Sequence, residues 1–238
     1  MGETAEKLAQ EMAISRREQD EFALMSQERG AAAIRSGVFK TEIHPIEIKD
    51  RKGNTVAFTL DEHARSKTVI GDLDKLSPVF SKTGTVTAAG NASGITDGAA
   101  ALVVMSEEML KKTGAQAQGR IVDYTIVGVE PSIMGIGPVP AVQKLLARNN
   151  ITLDQIDLVE LNEAFAAQVL ACLRDLPIDR DRLNVNGGSI SLGHPIGCSG
   201  TRIVVTLLHE MARRGSRLGL ATLCVSGGMG VALLLERV

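Results

Sequence analysis

Leu218-Gly-Leu-Ala-Thr-Leu-Cys-Val-Ser-Gly-Gly-Met-Gly-Val-Ala-Leu-Leu-Leu235 is the most apolar stretch of the chain, and its reading decides the fold. As one helix it would be a membrane candidate, but Ser226-Gly-Gly-Met-Gly230 breaks it. Two apolar runs remain, Leu218 to Cys224 and Val231 to Glu236, which read as strands of a closing hairpin. Further strand candidates precede them at Arg120 to Val129, Leu158 to Leu161 and Leu183 to Val185. Amphipathic helical patterns lie between, at Val139 to Arg148, Glu163 to Arg174 and Gly197 to Arg214. The order is βαβαβαββ, which predicts an α/β core domain with helices on both faces of its sheet.

Upstream of about Ala115 the texture differs. Thr4 is a candidate cap for a first helix, Ser15-Arg-Arg-Glu18 is a capping box for a second, and Ser36-Gly37 stops it. Ile43, Ile46 and Ile48, then Lys52-Gly-Asn54, then Val56-Ala-Phe58 predict a short exposed hairpin, with Pro45 marking an edge. The whole reads as a mostly helical α+β lobe, polar and thinly cored. One strand candidate, Ala99 to Met105, has no evident sheet; Ser106-Glu-Glu opens a helix after it.

Composition narrows the function. The chain has 238 residues, 26 basic and 28 acidic side chains, a net charge of -2, and no Trp. That gives no electrostatic footprint for nucleic acid or an anionic membrane, and few rings for base stacking. The three cysteines form neither a disulfide framework nor a zinc pattern, so no metal is expected and a reducing, cytoplasmic setting fits. The amino terminus carries no apolar signal core.

Three places carry candidate chemistry. Gly193-His-Pro-Ile-Gly197 puts His194 at a helix start, where it is either a base or a loop histidine bonded to backbone. Asn162-Glu-Ala-Phe165 lies where a strand hands over to a helix, as a polar site group or a helix cap. Cys224 ends a strand before the glycine turn, as a reactive thiol or as packing. Cys172 reads as core. Cys198, in a first helical turn, is either a thiol with a lowered pKa or a small packing residue. His44, His63 and His209 have no ligand spacing and default to surface roles. What raises the odds of chemistry is the combination: Asn, His and Cys at strand ends or helix starts of one α/β unit.

In these residues the chain resembles the thiolases, of the biosynthetic acetyl-CoA acetyltransferase type. The resemblance rests on Asn162-Glu-Ala-Phe-Ala-Ala-Gln168, Asn184-Val-Asn-Gly-Gly188, Gly193-His-Pro-Ile-Gly197, Leu220-Ala-Thr-Leu-Cys224 and Gly227-Gly-Met-Gly230. Upstream, Gly84-Thr-Val-Thr87, Gly90-Asn-Ala-Ser93, Asp97-Gly-Ala-Ala100 and Met134-Gly-Ile-Gly-Pro138 belong to it as well. It implies ping-pong acyl transfer between coenzyme A thioesters, which are substrates; no cofactor is implied. It further implies that His194 activates an acylated cysteine, that Asn162 holds an oxyanion-hole water, and that Cys224 shuttles the α-proton, a step that suits a thiol if neighbouring groups lower its pKa towards neutrality. The backbone of Ser226 would serve a second oxyanion hole; a positive φ there would strain a serine. Coenzyme A would contact Arg65, Leu76 and Ser93, with Met134 and Phe165 at the reactive end.

The resemblance also implies a division: residues 1–93 as a partial CoA-binding loop domain, 94–115 as the last strand and helix of an otherwise absent amino-terminal core domain, and 116–238 as the carboxy-terminal core. The family's acylated cysteine, in its Cys-Ser/Gly-Ser-Gly setting, has no counterpart here. The chain alone is therefore expected to be inactive, aggregation-prone, and dependent on the missing amino-terminal half or another thiolase chain. The rival expectation is a non-catalytic acyl-CoA-binding or thiolase-docking protein. A decarboxylating ketoacyl synthase is disfavoured, because its chemistry has no use for Cys224.

Overall fold

A computed structural model describes residues 1–238. The apolar stretch forms the hairpin its glycines predict: β5 (Leu218–Val225) and β6 (Met229–Arg237) pair antiparallel, with Cys224 opposite Gly230. The left-handed conformations of the turn fall on Gly227 and Gly228, at φ 89° and 91°, and Ser226 carries none, so the serine is unstrained. At Gly228 a Cβ would also lie 2.3 Å from the carbonyl oxygen of Val129. Gly228→Ala is therefore expected to destabilise the fold by about 1–3 kcal/mol, read as a lower Tm.

β6 pairs on its other side with β3 (Gly119–Gly128), antiparallel, and β5 pairs with β4 (Leu158–Leu161), parallel. The sheet order is β3-β6-β5-β4. The strand predicted at Leu183 to Val185 is reduced to one parallel bridge, Val159 to Leu183. The reason is Asn184, which turns at φ 44° and ends the extended run. Its carboxamide takes over the pairing, accepting from Leu161 N at 2.9 Å and donating to Leu161 O at 2.8 Å.

Helices do cover both faces. On one lie α1 (Gly2–Glu11), α2 (Arg16–Ser36), α5 (Pro138–Asn149) and α6 (Ala166–Asp175); on the other lies α8 (Ser199–Arg214). α6 is apolar on nearly every side because α1, α2 and α5 all pack on it. Leu8 and Phe22 share one core with Leu145, Leu161, Leu220 and Leu234, while Ile203, Leu207 and Met211 of α8 form another with Leu158, Ala221 and Leu235. The first two helices are thus not a thinly cored lobe: their apolar faces complete the main core. The capping box at Ser15 and Glu18 and the stop at Gly37 are as expected. Thr4 does not cap α1, which begins at Gly2; its hydroxyl instead bonds the Met1 carbonyl at 2.6 Å.

The hairpin of β1 (Ile46–Lys49) and β2 (Thr55–Phe58) stands exposed. α3 (Ile70–Leu73) is a single turn. Residues 99–105 are not a strand: the segment has no ladder partner, and Val103 is 85% exposed. It leads into α4 (Glu107–Thr113), capped by Ser106 as predicted but burying nothing. On the sheet face that carries α8, coverage stops short of β3, where Tyr124 and Ile126 are each 59% exposed. No helix is long and apolar enough to cross a membrane.

Candidate active site

The parallel pair β4 and β5 positions the first group. Asn162 follows β4 directly, and its N–H donates to the Thr222 carbonyl at 3.0 Å, two residues before Cys224 on β5. Asn162 is buried, and its Nδ2 lies 3.4 Å from Nε2 of His194. His194 sits in the loop between α7 (Ser189–Leu192) and α8. Two contacts pin that loop. The His194 N–H donates to Gly94 O at 2.8 Å, and at Gly193 (φ 92°) a Cβ would come within 2.5 Å of the Thr96 hydroxyl.

The hydrogen bonds assign the imidazole tautomer. The Ser199 hydroxyl donates its one proton to Pro195 O at 3.1 Å, so it accepts from His194 Nδ1 at 2.6 Å. Nδ1 then carries the hydrogen and Nε2 the lone pair, facing the Asn162 amide. Burial, and then the Arg202 charge, hold the imidazole below its ordinary pKa, so it is neutral at pH 7.

Cys224 occupies a separate apolar box with Met134, Ala164 and the Phe165 ring. Burial pushes its thiol up to about 11, and the condition of neighbours that lower it is not met, since no cation is placed to offset the desolvation. Its alkylation by iodoacetamide is expected to be slow at neutral pH and to keep rising as the pH approaches about 11. The Ser93 hydroxyl and N–H both donate to Ala164 O, at 3.0 and 3.1 Å, which ties the upstream segment to this box. Phe80, which the sequence did not single out, packs its ring edge-on against Phe165 at 6.1 Å.

Arg65 and Leu76 line a cleft of about 510 Å³ with Ser66, Lys67, Asp72 and Ala89. The Arg65 guanidinium donates to the Ala89 carbonyl, and the Arg65 backbone N–H donates to Gln27 Oε1 at 2.8 Å. The segment from Ala89 to Ser93 therefore runs from the cleft to the Cys224 box. Ser226 lies exposed at the hairpin tip.

Family comparison fits this geometry. Residues 115–237 match the family described as "Thiolase, C-terminal domain", and residues 1–108 match "Thiolase, N-terminal domain". The chain belongs to the thiolase family. It is 53% identical over 237 residues to the acetyl-CoA acetyltransferase of Chromobacterium violaceum, covering 100% of this chain and 60% of that protein. The crystal structure of the Bacillus anthracis acetyl-CoA acetyltransferase superposes with a TM-score of 0.97 at 52% identity, over 100% of this chain and 60% of that one. Human mitochondrial 3-ketoacyl-CoA thiolase in complex with CoA superposes with a TM-score of 0.90 at 45% identity, over 99% and 58%. This thiolase chain thus spans about 60% of the length of the relatives it matches.

The thiolase fold brings His194 to Asn162, and Cys224 to Met134 and Phe165, while Arg65 and Leu76 stand apart at the outer cleft. Cys172 is sealed in α6, its thiol bonded to Gly135 O at 3.3 Å. Burial raises the half-buried Cys198 thiol, with Arg202 opposing the shift, so the lowered pKa of the reactive alternative is not what its surroundings favour. His44 is exposed as expected, but His63 and His209 are half-buried. No group of three His, Cys, Asp or Glu side chains is arranged to hold a metal ion.

Sequence reasoning passed over Ser189, Ser199, Arg202 and Glu160, which surround the Asn162–His194 pair. Arg202 lies 3.5 Å from buried Glu160, whose carboxyl is pushed up to about 8 by burial, with Glu163 and Glu42 adding to the shift and Arg202 opposing it. Between the ordinary 4.5 and about 8 the folded chain holds a proton at Glu160 that the unfolded chain has released, so this contribution to stability falls as pH rises. Glu160→Gln is expected to flatten the decline of Tm across that window.

Proposed function

We propose that this chain supplies the proton-transfer part of an acetyl-CoA acetyltransferase site, acting in the reversible condensation of two acetyl-CoA to acetoacetyl-CoA and CoA. The observation that carries the reading is the His194 Nε2 lone pair held beside the Asn162 amide. Neutral imidazole takes the proton of a nucleophilic thiol, and as imidazolium it returns that proton to the departing CoA sulfur. The acetyl group is then on the nucleophile. Cys224 as thiolate removes an α-proton from a second acetyl-CoA; the carbanion forms the new C–C bond, and the C–S bond to the nucleophile breaks.

The reverse direction needs Cys224 as thiol, to protonate the departing enolate of acetyl-CoA. That is its resting form here, since burial raises its pKa. The nucleophile itself has no candidate among Cys172, Cys198 and Cys224, so a partner segment of thiolase type would provide it. Coenzyme A would occupy the cleft at Arg65 and the strip from Ala89 to Ser93.

A second reading, a CoA-binding or thiolase-docking protein without catalysis, is favoured by one observation: the cleft at Arg65 and Leu76 is lined without His194, Asn162 or Cys224. Thiolysis of acetoacetyl-CoA separates the two readings. Turnover when the chain is combined with the unmatched part of an acetyl-CoA acetyltransferase supports the first; CoA binding without turnover supports the second.

A further inference from the structure

Behind the Asn162–His194 pair stands a side chain that the proposed chemistry does not use. Ser189, the first residue of α7, has no exposure, and its hydroxyl donates to Asn162 Oδ1 at 2.6 Å. Arg202 Nη2 reaches the same hydroxyl oxygen at 3.4 Å, and Arg202 lies 3.5 Å from Glu160 on β4. A carboxamide has one accepting and one donating end. With Oδ1 committed to Ser189, the end that faces His194 is Nδ2. These two are the side-chain hydrogen bonds of Asn162, so the amide has no other anchor in its flip about the terminal torsion.

We infer that Ser189 is a positioning residue whose hydroxyl holds the Asn162 carboxamide with its N–H, and not its carbonyl, towards Nε2 of His194. The inference rests on the proposed function in that His194 is taken as the base. A flipped amide would set Oδ1 against Nε2, favouring a proton there and removing the lone pair that general-base work requires. Ser199 cannot substitute for this control, because it bonds the other ring nitrogen. The charged group bearing on His194 is Arg202 of α8; Glu160 faces that guanidinium, and Glu42 and Asp61 lie within its electrostatic reach. Ser189 and Asn162 are neutral, so the effect acts through orientation.

The test follows the pH dependence of diethyl pyrocarbonate modification of His194 in the full chain, mapped by peptide mass, with exposed His44 as internal reference. The reagent takes neutral imidazole, so the midpoint reports the proton on Nε2. In Ser189→Ala the His194 midpoint is expected to move up in pH while His44 stays fixed. The shift should vanish when Ser189→Ala is placed on Asn162→Ala, because the hydroxyl then has nothing to orient. Ser189→Thr keeps a hydroxyl and should titrate as the native chain; it carries the test if the alanine variant does not fold.

An unmoved midpoint in Ser189→Ala, a displaced one in folded Ser189→Thr, or a shift that persists without Asn162 would each overturn the inference. With an amino-terminal thiolase segment supplied, Ser189→Ala should lower kcat roughly tenfold at constant KM. Absence of turnover even in the native combination would remove the functional reading and leave the titration result standing.

Discussion

Cys224→Ser, in this chain combined with the unmatched part of an acetyl-CoA acetyltransferase, is expected to lower condensation and thiolysis by about 10²–10⁴-fold. The size follows from the role. Proton transfer to or from the α-carbon has no second titratable group in the box, whose other members are Met134, Ala164 and Phe165. A serine hydroxyl fits the space but is far too weak an acid to become the base. Because the sulfur is buried among apolar neighbours, the serine hydroxyl has no partner there, and the substitution should also lower stability by about 1–3 kcal/mol. Loss of rate in a chain that still melts cooperatively above the assay temperature is the expected signature, and retention of rate would remove Cys224 from the chemistry.

The second large effect concerns the uncovered face. Val103, Val104, Tyr124 and Ile126 are exposed to different degrees, on a segment without a ladder partner and on a strand that α8 does not reach. Burying four such side chains is worth about 6–12 kcal/mol in gross terms, against roughly 4–15 kcal/mol for association. The two ranges overlap, so self-association is expected to be weak and concentration-dependent, and a partner that also pairs the backbone of residues 99–105 should bind more tightly. Light scattering of the chain alone is expected to rise steeply with concentration. Val103→Lys with Ile126→Lys should suppress that rise without lowering Tm, since neither side chain is in the core. A monodisperse native chain at high concentration would show that the face needs no cover.

Much of this was legible in the sequence because it depends on local pattern. The glycine turn at 226–230 fixed the hairpin, and four of the five predicted core strands lie within two residues of their place. The misses have physical causes. Leu183 to Val185 has strand composition, but a left-handed Asn184 whose amide mimics the ladder cannot be read from composition. The first two helices looked thinly cored because α2 is polar along much of its length; that they bury Leu8 and Phe22 against α6 is a tertiary fact. At the site, Asn162, His194 and Cys224 stand at element ends and were legible there as candidates. Ser189, Arg202 and Glu160 were not, because a buried hydroxyl and an ion pair inside regular elements leave no periodic signal. The pKa of Cys224 was not legible at all, since it depends on which neighbours close around the sulfur.

The most direct test is thiolysis of acetoacetyl-CoA by this chain, alone and combined with the part of the Bacillus anthracis acetyl-CoA acetyltransferase that lies outside the match. The account predicts no turnover alone, turnover in combination, and its loss in His194→Ala. Turnover by the chain alone, or turnover in combination that survives His194→Ala, would contradict it.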